Sequence, residues 1–451
     1  MSLEKVYQYT DVHADDFVGA LVKLVKQPSV SAKGEGIQEC AELVEKMMRE
    51  IGLSTKVLHE ENGNPVVYGE IKSKESIKTL LFYDHYDVQP PEPLEKWKCE
   101  PFSGKIINGK IYGRGASDNK GNFVSRLKAV QALLEVTGDV PVNIKFFVEG
   151  EEEIGSPHLE PIIRKYKDFF SADAAIWEFG GTDRQGRPHL YLGLKGVLSV
   201  ELRASGASKD VHSANAPIIP NPAWHLVWAL NLLKNREEKI LIEDFYENVL
   251  PPSPEEIECL RIIPFEEEET KKELGLEEFL QSKSGLEALK ALLYQPTCTI
   301  NGFVSGYTGA GSKTVLPHEA SAKLDFRLVP NQNSTEIFRK LVEYLKTRGF
   351  GDLEVIRHGF TEPTRTPVND PFVKLVAKTA ESVYSKRAVI YPTSAGSGPM
   401  HLFRNFLGYP VVSVGCSHPE SNTHAPNENL IIESFIKGTK FIATLINDFT
   451  L

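Results

Sequence analysis

Three apolar runs, "KTLLFY", "VNIKFFVE" and "AAIWEF", are separated in the first 180 residues by stretches of helical periodicity, and this alternation limits the chain more than any other feature. Val142, Ile144, Phe146 and Val148 alternate as a strand does. Phe123, Leu127, Val130 and Leu134 share one helical face, which predicts a helix from about Gly121 to Val136. Strands joined by helices of this length make a largely parallel sheet that is covered on both faces. Helical spacing also marks Phe17, Leu21, Leu24 and Val25 before Pro28, and Leu43, Val44, Met47 and Met48 before Gly52.

The pattern changes near Leu198. "LSVELRAS" and "ASAKLDFRLV" alternate apolar with polar residues, as a half-exposed antiparallel sheet does, and "TEIFRKLVEYLKTRG" is an amphipathic helix closed by Gly349. Buried patterning returns with a helix from about Pro371, a strand at "PVVSVG" and a last helix through Phe435 and Ile442. The expected fold is therefore α/β, a largely parallel mixed sheet with an inserted α+β lid. The catalytic domain would span residues 1–198 and 362–451, and the lid 199–361. Within the lid, the charged stretch 235–289, with "PPSPEEIE" and "PFEEEETKKE", reads as a solvated, helix-rich elaboration and not as a binding element.

Each apolar run ends in ionisable residues. "LLFYDHYDVQP" passes from a strand into Asp84, His85 and Asp87; "VEGEEEIGS" ends in Glu149, Glu151, Glu152 and Glu153; "AAIWEFGG" ends in Glu178. "GRGASDNKG" places Asp118 between glycines ahead of a helix, and "CSHPESNTHAPNE" places His418 and His424 beyond the last strand. Burying such groups costs several kcal/mol, about 2–7 for a polar group, unless they are paired or bind metal. Taken singly, an H-x-D pair arises by chance, an acidic triplet is a solvated face, and Asp118 is a helix cap. Taken together, they stand at the carboxyl edge of an open parallel sheet, where ligands bind. Two histidines, one carboxylate each and one shared carboxylate would suit two divalent cations.

The motifs "DHYDVQP", "GRGASDNKG", "EGEEEIGS", "GLKG", "DVHSAN", "KTVLP", "FRLVP" and "THAPNE" occur in an order that resembles the zinc-dependent aminoacylase, carboxypeptidase-G and carnosinase-type metallopeptidases. The resemblance covers essentially the whole chain, and the lid length is similar to that of the carnosinase and cysteinylglycine dipeptidase branch. It implies that His85, Asp118 and Glu178 hold one metal and that Asp118, Glu153 and His424 hold the second. It also implies a cis peptide at Asp118–Asn119, Asp87 as the acceptor of the other His85 ring N–H, and Glu152 as the catalytic base, with Glu151 solvated. Zinc is the expected metal, with manganese or cobalt as alternatives. His212 would reach the site across a homodimer interface in the lid and stabilise the oxyanion. Arg327 would grip the substrate carboxylate, with Thr314 and the "SAGSGPM" turn around Ser397 lining the pocket. Glutamate at position 178 is the type usual in the family's carboxypeptidases and deacylases, whereas aspartate is usual in its carnosinase-type dipeptidases. His418 is a pocket residue or a solvated loop histidine.

The expected function is two-metal hydrolysis of dipeptides or of the C-terminal residue of short peptides. Alternatives are an N-acyl-amino-acid deacylase and a peptide- or metal-binding protein without catalysis, which would not need Glu152. A net charge of −10 with no basic stripe argues against nucleic acid, and no apolar run reaches the ~18 residues of a membrane span. Five scattered cysteines and the polar start "MSLEKVYQYT" fit the cytoplasm.

Overall fold

The computed structural model describes residues 3–450; Met1, Ser2 and Leu451, at the ends of the expected catalytic domain, lie outside the described residues. Twelve strands form the two main sheets: β1 (Ser54–Leu58), β2 (Val66–Ile71), β3 (Thr79–His85), β4 (Asn143–Glu149), β5 (Ala174–Trp177), β6 (His189–Tyr191), β7 (Gly196–Ser205), β8 (Thr297–Ser305), β9 (Glu319–Leu328), β10 (Glu354–Thr361), β11 (Val389–Tyr391) and β12 (Val411–Ser413). The larger sheet has the order β1-β2-β4-β3-β5-β12-β6-β11. Its centre, β4-β3-β5-β12, is parallel throughout, while β1–β2, β2–β4 and β12–β6 pair antiparallel. The α/β reading with a largely parallel mixed sheet holds.

Alternation along the strands explains why both faces are covered. Leu80 and Phe82 of β3 enter one apolar cluster, with Ile144 and Phe146 of β4 and the helices Ala14–Val25, Lys120–Thr137 and Ile432–Asp448. Leu81 and Tyr83 point the other way, into a cluster with Phe147, Trp177 and Phe403. Tyr83 and Trp177 stack with ring centroids 3.9 Å apart, which pins the ends of β3 and β5 together. The helix expected from about Gly121 to Val136 spans Lys120–Thr137 and ends at Gly138 in the left-handed conformation.

The smaller sheet, β8-β9-β7-β10, is antiparallel. Leu198, Val200, Leu202, Leu324 and Phe326 face the helices Pro222–Leu233 and Ser334–Leu345, with intervening residues more exposed, as the alternating sequence requires. The charged stretch is helix-rich, as expected, but it is not wholly solvated. It folds into the helices Pro254–Ile262, Glu267–Leu274 and Gly285–Tyr294, and its Leu260, Ile263, Leu289 and Leu293 bury against Val389 of β11. Apolar residues at helical spacing among the charges make this possible; charge density alone hid them. Among the described residues, no helix is long and apolar enough to cross a membrane.

Candidate metal centre

The parallel strands β3, β4, β5 and β12 all present their carboxyl ends to one edge, and the ionisable residues of the sequence gather there. His85, at the end of β3, is fully buried, with Nε2 3.0 Å from Asp118 Oδ1. His424 Nε2 lies 3.1 Å from the other Asp118 oxygen and 3.1 Å from Glu153 Oε2. Asp118 thus offers one oxygen to each imidazole. Two groups with donor atoms within 4.8 Å of one another result, His85–Asp118–Glu178 and Asp118–Glu153–His424, sharing Asp118. Glu152 belongs to neither, and its Oε2 is 4.0 Å from His85 Nε2.

Three buried side chains hold this arrangement. Glu428, fully buried, accepts hydrogen bonds at 3.0 Å from the backbone N–H groups of Gly115, Ser117 and Asp118, and one at 2.8 Å from Arg114 Nη1. It clamps the turn that carries Asp118, whose peptide bond to Asn119 is cis. Arg126 extends from the helix behind the sheet and spans three strand ends. Its Nη1 donates to Tyr83 O (2.9 Å) and Asp84 Oδ1 (2.6 Å), and its Nη2 to Trp177 O (2.7 Å), Glu178 O (3.1 Å) and Val414 O (2.8 Å). Asp87 accepts from the backbone N–H groups of Glu152 (3.2 Å) and Glu153 (3.0 Å), tying the acidic turn to β3. His85 Nδ1 lies 3.0 Å from the Asp87 carbonyl and 3.4 Å from its carboxylate, so the backbone is the nearer acceptor. Close packing behind Glu178 demands glycine: a Cβ on Gly181 would come within 2.0 Å of Ser417 O.

The electrostatics are those of a crowded acidic site. Burial, then the charges of Glu153, Asp118 and Asp87, lift Glu152 to about 8 against the opposing pull of His85. Burial and the Glu152 charge push Glu178 well above the carboxylate range. Burial opposes ionisation of Asp118, but hydrogen bonds from His424 and His85 hold it well below its usual value. Hydrogen bonds to Asp118 and Glu153 raise His424 to about 10. Glu153 Oε1 is buried and has no hydrogen-bond partner. Five carboxylates (Asp87, Asp118, Glu152, Glu153 and Glu178) therefore face two imidazoles, with an unused buried oxygen among them. Divalent cations would satisfy that imbalance, and the imidazole and carboxylate donors fit zinc-type ions.

A cavity of about 650 Å³ opens beside the two groups, lined by Asp118, Glu152, Glu178 and His424, and further out by aromatic rings. His418 is on this wall, with both ring nitrogens engaged: Nδ1 accepts from Glu420 N, and Nε2 is 3.0 Å from Asn429 Oδ1. The expected lid residues lie outside the lining of this cavity and form two pairs. His212 and Thr314 are exposed on a short two-stranded ribbon, 3.3 Å apart. Arg327 of β9 donates to Ser397 at 2.8 Å, joining the smaller sheet to the "SAGSGPM" turn.

Two expectations change. Glu151 is not solvated but 5% exposed, accepting from Asn64 N at 2.9 Å and pairing with His158 at 2.9 Å. The charged stretch contributes Pro264, Phe265, Glu266 and Thr270 to the cavity wall. Arg126 and Glu428 were not singled out from sequence. The signal for Arg126 was an arginine three residues after Phe123 and four before Val130, on the buried face of a helix; for Glu428 it was the closing carboxylate of "THAPNE".

Comparison with known proteins agrees with this geometry. A metallo-carboxypeptidase of the M20 family from Sulfolobus solfataricus superposes with a TM-score of 0.90 at 42% identity, covering 96% of this chain and 99% of its own. The Beta-Ala-His dipeptidase of Homo sapiens is 28% identical over 98% of this chain and 91% of its own. The Cys-Gly metallodipeptidase of Schizosaccharomyces pombe is 29% identical over 99% of this chain and 98% of its own. Residues 81–448 match the family described as Peptidase family M20/M25/M40, and the chain belongs to that family.

Proposed function

We propose that this enzyme is a two-metal peptidase that hydrolyses dipeptides and releases the C-terminal residue of short peptides. The observation that carries the reading is the pair of donor groups sharing Asp118, with Glu152 beside them and outside both. In this reading His85, Asp118 and Glu178 hold one ion, and Asp118, Glu153 and His424 the other. Two divalent ions held there would lower the pKa of a water toward neutrality and polarise the scissile carbonyl. Glu152 takes the proton of the attacking water and returns it to the leaving amine. A carboxylate beside both donor groups and bound to neither is placed for both transfers. Asp87 positions this base through the Glu152 backbone N–H. Zinc is favoured by the mixed imidazole and carboxylate donors, with manganese and cobalt as alternatives.

Release of the C-terminal residue is supported by the 42% identity to a metallo-carboxypeptidase, against 28–29% for the two dipeptidases. Glutamate at position 178 points the same way. Arg327, held ready by Ser397, would bind the terminal carboxylate, for which a guanidinium fork is suited. His212 and Thr314 stand outside the cavity of their own chain, and this supports action on a second copy, His212 stabilising the oxyanion there. A homodimer through the lid is further supported by exposed Trp224 and Trp228 on one helix and by Phe303 and Val304 on the edge strand β8. The division into a metal-holding part (1–198 and 362–451) and a lid (199–361) belongs to the same proposal, supported by the separate apolar clusters of the two sheets. Free cysteines at all five positions support a cytoplasmic setting.

The test is amino-acid release by the metal-reconstituted protein from matched free dipeptides, N-acyl dipeptides, N-acyl amino acids and peptide amides. Release from the peptides with a free carboxylate is expected. Cleavage confined to N-acyl amino acids would replace the proposal with a deacylase, a reading that Glu178 also favours. Absence of release throughout would leave a binding protein.

A further inference from the structure

The mechanism uses only the metal-proximal end of the cavity. The distal end is built differently. Tyr191 and Tyr391, on β6 and β11, stack with centroids 4.5 Å apart and an interplanar angle of 25°. Phe179 lies 4.9 Å from Tyr191, and His189 lies 5.0 Å from Tyr391. Phe265 faces them from the charged stretch, on a segment tied across the mouth by Arg184, whose guanidinium is 3.4 Å from Glu266. All five rings line the same cavity as Glu152 and Glu178. Each is partly exposed, so the apolar surface is available to a ligand.

The histidine of this wall presents its ring and not a hydrogen-bonding atom. His189 is 13% exposed at its side chain, its Nδ1 is 3.3 Å from the Tyr191 hydroxyl, and its Nε2 is buried with no hydrogen-bond partner. The nearest carboxylate, Asp183, is 4.0 Å from Nε2 and is already engaged by Arg187 at 2.6 Å. Burial depresses His189 to about 4, so at neutral pH the ring is an uncharged imidazole that adds a flat face to the wall. Aromatic walls favour flat apolar groups, because ring pairs gain about 0.5–1.5 kcal/mol beyond their buried area.

We propose that the recess walled by Phe179, His189, Tyr191, Phe265 and Tyr391 is the subsite for the side chain of one residue flanking the scissile bond. It selects a large aromatic side chain, tyrosine or phenylalanine before leucine, and leucine before alanine. This rests on the peptidase reading above. It gives the charged stretch a role: through Phe265, that segment sets specificity.

The experiment uses the full-length, metal-reconstituted protein and dipeptides Xaa-Ala and Ala-Xaa, with Xaa as tyrosine, phenylalanine, leucine or alanine. At one of the two positions, kcat/KM for tyrosine should exceed that for alanine by about 10- to 100-fold, as expected for burial of a ring. Tyrosine and phenylalanine should each exceed leucine by roughly two- to tenfold, the worth of ring pairing beyond buried area. Phe265→Ala should shrink the tyrosine-to-alanine ratio about tenfold. Tyr391→Ala should bring the phenylalanine-to-leucine ratio toward one. Calorimetric affinities of the same peptides for Glu152→Gln, which cannot turn them over, should follow the same order. Hydrolysis by the unmodified enzyme with no aromatic preference at either position would overturn this proposal and leave the peptidase reading intact. Neither hydrolysis nor binding of any peptide would overturn both.

Discussion

Replacing Arg126 with methionine tests how the site is held together. The guanidinium is 1% exposed and makes five hydrogen bonds, four to carbonyls at the ends of β3, β5 and β12 and one to Asp84 at 2.6 Å. Asp84 is fully buried and its second oxygen, Oδ2, has no partner, so Arg126 is the cation that balances it. Methionine fills much of the volume but strands that carboxylate. Breaking one side of a buried ion pair costs about 3–5 kcal/mol, a large part of the ~5–15 kcal/mol that holds a typical domain together. The assay is denaturant unfolding followed by circular dichroism, with Arg126→Met, Asp84→Asn and the double variant forming a cycle. The double variant should recover about 1–3 kcal/mol relative to Arg126→Met, because the stranded charge is gone. The pH dependence has a definite sign. Burial already lifts Asp84 to about 6 despite Arg126, so the folded state binds this proton more readily than the unfolded state. Its contribution to stability is greatest in acid and is lost as pH rises through about 6. Without Arg126 that window moves upward, so the Arg126→Met deficit should be larger at pH 8 than at pH 5. A deficit below about 1 kcal/mol, or no recovery in the double variant, would refute the bracing role.

Other outcomes follow from the same geometry. Glu428→Gln keeps the shape of the clamp but weakens its three backbone hydrogen bonds, and metal affinity measured by chelator competition should fall about 10- to 100-fold; unchanged affinity would contradict the role. Glu152→Gln should retain both metals by elemental analysis and lose about 10²- to 10⁴-fold in kcat; near-normal turnover would remove Glu152 as the base. Arg327→Ala should raise KM for substrates with a free carboxylate and leave that for their amides little changed; equal effects on both would make its bond to Ser397 structural. If the lid pairs two copies as proposed, mixing His212→Ala with Glu152→Gln chains should regain part of the activity that each variant alone lacks, and no recovery would argue that His212 acts within its own chain.

Much of this protein was legible in its sequence, and for local reasons. The alternation in "VNIKFFVE" reports which residues of β4 face which cluster, and the period of Phe123, Leu127 and Val130 reports the helix behind the sheet. His85, Asp118, Glu153, Glu178 and His424 stood out with their neighbours Asp84, Asp87, Glu149, Glu151, Glu152 and His418, because ionisable groups directly after buried strands and turns need a reason. The resemblance alone picked the five as ligands from that wider set, and the fold brings them to one sheet edge. What the sequence could not decide depends on distant partners. Glu151 looked like a solvated acid beside two functional ones until Asn64 and His158 closed over it. Arg126 and Glu428 resembled an ordinary helix arginine and a loop glutamate, and only the meeting of strand ends far apart in the chain makes them braces. The charged stretch read as solvent-facing because its charges outnumber its apolar residues. Packing on β11 buries Leu260, Ile263, Leu289 and Leu293 and turns Phe265 toward the cavity. Periodicity and propensity are set by neighbours a few residues away, so sequence determines elements and the chemistry at their ends. Burial, ion pairing and cavity walls come from residues brought together only when the chain folds, and those the tertiary structure decided.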